Sequence, residues 1–141
     1  MNTSYWTGSA TALLLLGSAA HARQTPPQVT ITDLGLLPGG IYASAYGIND
    51  TGKIVGMAND STGAFRNVQW VNGQISTIPE FTGGAGLSVP EDLNDAGDSV
   101  GGQHVYGGIN YAVWWDSQNN PSALPGIPGG SPASDWAHAI N

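Results

Sequence analysis

Four carboxylates crowd into the stretch Glu91-Asp92-Leu93-Asn94-Asp95-Ala96-Gly97-Asp98, and several hard oxygens close together are what Ca²⁺ asks of a protein. The order departs from the EF-hand pattern, because Ala96 stands at the third ligand position and no Glu follows at the right distance. Asp95 and Gly97 read instead as turn residues. His104 and His138 are the only histidines after the first 22 residues, there is no HExxH, and the chain has no Cys. That excludes thiolate nucleophiles, iron–sulfur clusters, Cys-based zinc sites and disulfides, so neither metal nor cofactor is expected. Among the serines, Gly86-Leu87-Ser88-Val89-Pro90 comes nearest to a nucleophile elbow and fails at its last residue. Glu80, Glu91 and Asp116 could serve a glycosidase pair, yet nothing in their spacing singles out two of them. No catalytic residue is assigned, and the chain is read as not an enzyme.

Aromatic residues carry the better functional signal. Trp70, Trp114, Trp115 and Trp136 with Tyr42, Tyr46, Tyr106 and Tyr111 suit stacking on sugar rings or gripping a protein surface. Trp70 and Trp115 occupy one repeat position and alternate with polar neighbours, so they are expected to fill the core between units. Trp114 points opposite to Trp115 on an extended strand, and its counterpart Gln69 is polar. Trp114, with Tyr106 and Tyr111 nearby, is therefore the expected ligand contact.

The elements that position these residues repeat. Ile48-Asn49-Asp50-Thr51-Gly52-Lys53-Ile54-Val55-Gly56 aligns with Leu93-Asn94-Asp95-Ala96-Gly97-Asp98-Ser99-Val100-Gly101 at an offset of 45, and the same offset carries Val68 to Val113 and Trp70 to Trp115. A third copy begins at Ala139-Ile140-Asn141, and a Gly-rich element recurs at Leu37-Pro38-Gly39-Gly40 and Ile127-Pro128-Gly129-Gly130. Within the first copy, strands are predicted over 42–48, 53–58, 66–71 and 74–78. They are separated by Asn49-Asp50-Thr51-Gly52, by Asn59 to Gly63, and by the hairpin signal Asn72-Gly73. No window carries helical periodicity. Asn49, Asp50, Gly52, Gly56 and Trp70, with Asn94, Asp95, Gly97, Gly101 and Trp115, are the structural positions of the repeat. The fold class is all-β: four-stranded antiparallel units of about 45 residues, resembling propeller blades in length and content and too few to close a propeller. The chain stops before the Asp-x-Gly of the third copy, which predicts a fragment of a longer protein.

Composition agrees with that architecture. The 141 residues include 21 Gly and 9 Pro, but also five Trp and five Tyr, which disordered tracts lack. Three Lys+Arg against ten Asp+Glu give a net charge of −7, which disfavours nucleic acid and anionic lipid as partners. Ala10 to Leu16 is a short apolar core followed by Ala20-His21-Ala22, an A-x-A cleavage pattern. Residues 1–22 are read as a signal peptide cleaved after Ala22, 23–30 as a linker and 31–141 as the repeat region, with no membrane-inserted segment in the mature chain.

The run Asp33-Leu34-Gly35-Leu36-Leu37-Pro38-Gly39-Gly40, followed by Ala45-Tyr46-Gly47-Ile48-Asn49-Asp50-Thr51-Gly52-Lys53-Ile54-Val55-Gly56, resembles the bacterial HAF-type extracellular repeat. The His-Ala-Phe segment of that repeat falls on Arg66 to Trp70 and on Tyr111 to Trp115; the Trp is kept in both copies and the His in neither. The resemblance implies secretion and a repeated, propeller-like β architecture, and no reaction. The expected function is a non-catalytic extracellular module for binding or scaffolding, its ligand a carbohydrate or protein surface, with self-association through open strand edges as a further possibility. The alternative is part of a secreted glycan or peptide hydrolase whose catalytic residues lie partly outside this segment.

Overall fold

The computed structural model describes residues 27–81, 86–105, 109–126 and 135–141. The expected signal peptide, Tyr106 and the second Gly-rich element at 127–130 lie outside the described residues. Thr32–Asn141 forms one compact unit, separate from Met1–Ile31; of the latter, residues 27–31 are described, exposed and without regular structure.

Eight strands follow in chain order: β1 Ala43–Ile48, β2 Ile54–Asn59, β3 Phe65–Val71, β4 Gln74–Thr77, β5 Gly86–Leu93, β6 Ser99–Val105, β7 Ile109–Trp115 and β8 Pro121–Ala123. They form two four-stranded antiparallel meanders, β1-β2-β3-β4 and β5-β6-β7-β8. No helix occurs among the described residues, and these two sheets do not themselves close into a barrel or ring.

The turns explain the meander. In each copy the Asn of the Asn-Asp-x-Gly turn bends its side chain back on its own loop. Asn49 Oδ1 accepts from Lys53 N at 2.9 Å and Asn94 Oδ1 from Asp98 N at 3.0 Å. Gly52 and Gly97 take the left-handed backbone that such a turn requires, with φ of 80° and 92°. Asn72-Gly73 joins β3 to β4 with both residues at positive φ, the geometry that matches strand twist in a two-residue hairpin. The second copy has one residue more at that point, and Asn119 takes the left-handed position in its Asp116–Asn120 loop.

A further device recurs in both sheets. Pairing of β1 with β2 slips between Ala45 and Gly47, and pairing of β5 with β6 slips between Pro90 and Asp92, which leaves Tyr46 and Glu91 as bulge residues. Opposite each bulge stands a glycine. A Cβ on Gly56 would lie 2.0 Å from Ser44 O, and one on Gly101 would lie 1.9 Å from Val89 O. The identity of Gly56 and Gly101 is thus demanded by close backbone approach.

The core forms in layers. On one face of the first sheet Ala58, Val68 and Trp70 pack with Leu37 and with Leu34, Ala43, Ile54 and Ile75. The other face meets the second sheet, where β5 packs against β1, β2 and β3. Trp115 and Val113 face into that junction and are fully buried, as Trp70 and Val68 are in the first sheet. Asn67 alternates with Val68 and would face solvent in a one-layer sheet. It is buried because both faces are covered, and its Nδ2 donates to Ser88 Oγ at 2.7 Å across the junction.

Candidate functional site

The polar residues of the repeat meet at one end of the paired sheets. Asn49 Nδ2 donates to Asn94 O at 3.0 Å, and Asp50 N donates to Asp95 Oδ1 at 3.0 Å. Both links join residues 45 positions apart, so each turn is laid on its own copy. Asp95 therefore does more than close a turn. Lys53 adds a longer reach: its Nζ donates to Gly97 O at 2.8 Å and to Asn119 Oδ1 at 3.3 Å. Partial burial lowers the Lys53 pKa, opposed by the charges of Asp98 and Asp116.

The four clustered carboxylates diverge. Glu91 Oε2 pairs with His138 Nδ1 at 2.5 Å, Asp92 Oδ2 accepts from Ile140 N at 3.0 Å, Asp95 Oδ1 takes the Asp50 amide, and Asp98 acts on Lys53. Among the described residues no three His, Cys, Asp or Glu gather as metal ligands. Asp116 is occupied by its own loop: the Asn120 side chain and amide and the Gln118 amide hold its carboxyl below its ordinary pKa. Asp60 behaves likewise in the loop between β2 and β3, where the Thr62 hydroxyl and Arg66 hold it at about 2. Glu80 lies 3.7 Å from Arg66 Nη1. His104 Nδ1 is bonded to Asn110 Oδ1, and Ser88, the nearest approach to a nucleophile, is a buried strand residue that accepts from Asn67.

The predicted aromatic contacts separate. Trp114 pairs in register with Val100 and Ser122 and is partly buried. It shares a face with Gly102 and Ala112, the face turned away from the first sheet. Tyr111 lies on the opposite face of β7, and its ring centroid is 5.6 Å from that of Phe81. Trp114 and Tyr111 therefore cannot present one stacking surface, and Tyr106 lies outside the described residues. The aromatic neighbour on the Trp114 face is Trp136. Its ring lies flat on Gly102, where a Cβ would come within 2.3 Å of it, while Ala137 N donates to Gly101 O. Spacing could not assign Trp136, because no aromatic stands at its place in the other copies. The signal was the glycine beneath it.

Polar groups are also buried between the sheets. Phe81 N donates to Gln103 Oε1 at 3.3 Å, and Gln103 sits beside Ser88 by strand register. Asn67 Oδ1 and Gln103 Nε2, an acceptor and a donor, are buried without a partner on either side of Ser88. Comparison of the chain with family models, with curated proteins and with solved structures found no match.

Proposed function

We propose that this chain is a secreted, non-catalytic β-repeat module, HAF-like and built of propeller-like blades, that scaffolds or binds an extracellular carbohydrate or protein surface. One observation carries the reading: the side chains that could do chemistry are spent on holding repeats together. Asn49, Asp95 and Lys53 bridge copy to copy, while Asn94, Asp60 and Asp116 close turns. Such commitments favour a rigid scaffold over an acid–base pair, which needs titratable groups converging on a substrate. Trp114, partly exposed on the outer face of β7, is the proposed ligand contact, and the apolar run before Ala22 is the proposed export signal.

Depletion of the chain from solution by insoluble cellulose, chitin and peptidoglycan tests the reading. Retention on one of these, weakened about tenfold or more by Trp114→Ala with an unchanged far-UV circular dichroism spectrum, supports it; about 1.4 kcal/mol corresponds to that factor. Turnover of the same polysaccharides that survives Trp114→Ala overturns it in favour of a hydrolase.

A further inference from the structure

The junction between the two sheets buries three polar side chains at places where the other copy of the repeat has alanine. Asn67 on β3 and Gln103 on β6 are fully buried, and Ser88 on β5 is 3% exposed. At the 45-residue offset, Asn67, Ser88 and Gln103 correspond to Ala112, Ala43 and Ala58. Ala43 and Ala58 stand opposite each other in β1 and β2 as Ser88 and Gln103 do in β5 and β6. In the first sheet that pair belongs to an apolar cluster with Leu34 and Leu37. The fold therefore has no need of polar groups at these positions, and burying them costs free energy unless each finds a partner.

The three side chains converge. Ser88 and Gln103 are in direct register, which sets them on one face with Cβ atoms about 5 Å apart. Asn67 reaches across from the first sheet and donates Nδ2 to Ser88 Oγ at 2.7 Å. Gln103 Oε1 accepts from Phe81 N at 3.3 Å, and this fixes which end of the Gln103 amide is the donor. Asn67 Oδ1 and Gln103 Nε2, one acceptor and one donor, are buried without a partner. The Ser88 hydroxyl, which accepts from Asn67, also has a proton of its own to give. None of the three groups is charged. A cation would meet the Gln103 NH₂ and an anion the Asn67 carbonyl, so the matching ligand is neutral and both donates and accepts. With all three side chains closed off from solvent, it must also be very small.

We infer that Asn67, Ser88 and Gln103 form a binding site for one ordered water molecule that bridges the two sheets. The water accepts from Gln103 Nε2 and from Ser88 Oγ and donates to Asn67 Oδ1. Those three bonds are the usual complement of a buried water. The bridge ties β3 of the first sheet to β5 and β6 of the second. A sheet with the alanine pair in place of Ser88 and Gln103 would leave Asn67 unpaired, so the site also discriminates which sheet packs on β3. The inference rests on the inter-sheet junction and is independent of the proposed extracellular ligand.

Water–protein cross-relaxation by NMR on the full, ¹⁵N-labelled chain tests this. The Gln103 side-chain amide protons should show cross-peaks to water whose signs are opposite in the laboratory and rotating frames, as a held water gives. Amide protons that merely exchange with solvent give the same sign in both. Asn67→Leu, which removes the acceptor, should abolish the Gln103 cross-peak while leaving the circular dichroism spectrum unchanged. Gln69→Leu, two residues along the same face of β3, should leave the cross-peak as in the wild type. The wild-type spectrum decides even where Asn67→Leu does not fold. A Gln103 amide that shows no water cross-peak, or only the exchange sign, overturns the inference, as does a cross-peak that survives Asn67→Leu. Loss of polysaccharide retention by Trp114→Ala would leave these results unmoved, so the two readings fail separately.

Discussion

The two sheets share register, bulges and turn chemistry, yet equivalent residues meet different fates. Trp70 and Trp115 are both buried, but Trp115 Nε1 donates to Pro79 O at 2.8 Å and Trp70 Nε1 has no partner. Ile48 lies open while Leu93 is covered. Asn49 reaches the next copy's turn to form an inter-repeat bond, and Lys53 spans the same gap where the second copy has Asp98. A repeat position therefore has no energy of its own. What a side chain contributes depends on whether another sheet lies against it, because burial and dielectric belong to the interface.

The largest test of this contrast uses the two tryptophans. Trp115→Ala should cost about 4 kcal/mol, a sizeable share of the stability of a small domain. Trp70→Ala should cost about 1 kcal/mol less, since no hydrogen bond is lost with it. Urea unfolding of both variants reads the difference directly, and equal losses would mean that the Trp115–Pro79 bond contributes nothing.

Next in size is the pair Leu93→Ala and Ile48→Ala. The first should destabilise by about 3 kcal/mol through the cavity left where Leu93 Cδ2 packs on Gly47, and the second by less than about 0.5 kcal/mol because Ile48 is exposed. A comparable loss from Ile48→Ala would show that Ile48 is covered within the chain as Leu93 is.

The smallest effect concerns pH and the loops. Asp60 has its pKa lowered from 3.8 to about 2 by the Thr62 hydroxyl and Arg66. The folded state therefore binds fewer protons than the unfolded chain between those values. This stabilisation is present in full above pH 3.8 and is lost as the pH falls through about 2. Asp60→Asn should flatten the acid limb of the stability curve in that window. Asp116→Asn should do so less, and a limb unchanged by Asp60→Asn would break the assignment.

Much of the fold was legible beforehand. Alternation placed Val68 with Trp70 and set Trp114 against Trp115, and each Asn-Asp-x-Gly turn fell between strands as read. The bulges at Tyr46 and Glu91 were not legible, since a slip of register leaves no mark except the glycine across from it. The site was harder still. Tyr111 and Trp114 are near in sequence and lie on opposite faces, so grouping them as one contact followed proximity along the chain where strand parity should have ruled. Lys53 stands where the second copy has Asp98, and that difference in type is what lets it bridge the sheets.

Local rules determined what sequence alone could decide: strand spacing by period-two alternation, turn sites by Asn and Gly, and a repeat by identity at an offset of 45. Those properties are read along the chain and do not depend on which surfaces later pack together. Tertiary structure alone decided that Asn67 is buried, that Asp95 serves the neighbouring turn, and that Ile48 stays open where Leu93 is closed. Each of these depends on which sheet face lies against which, and that is settled by long-range packing between residues about 45 positions apart.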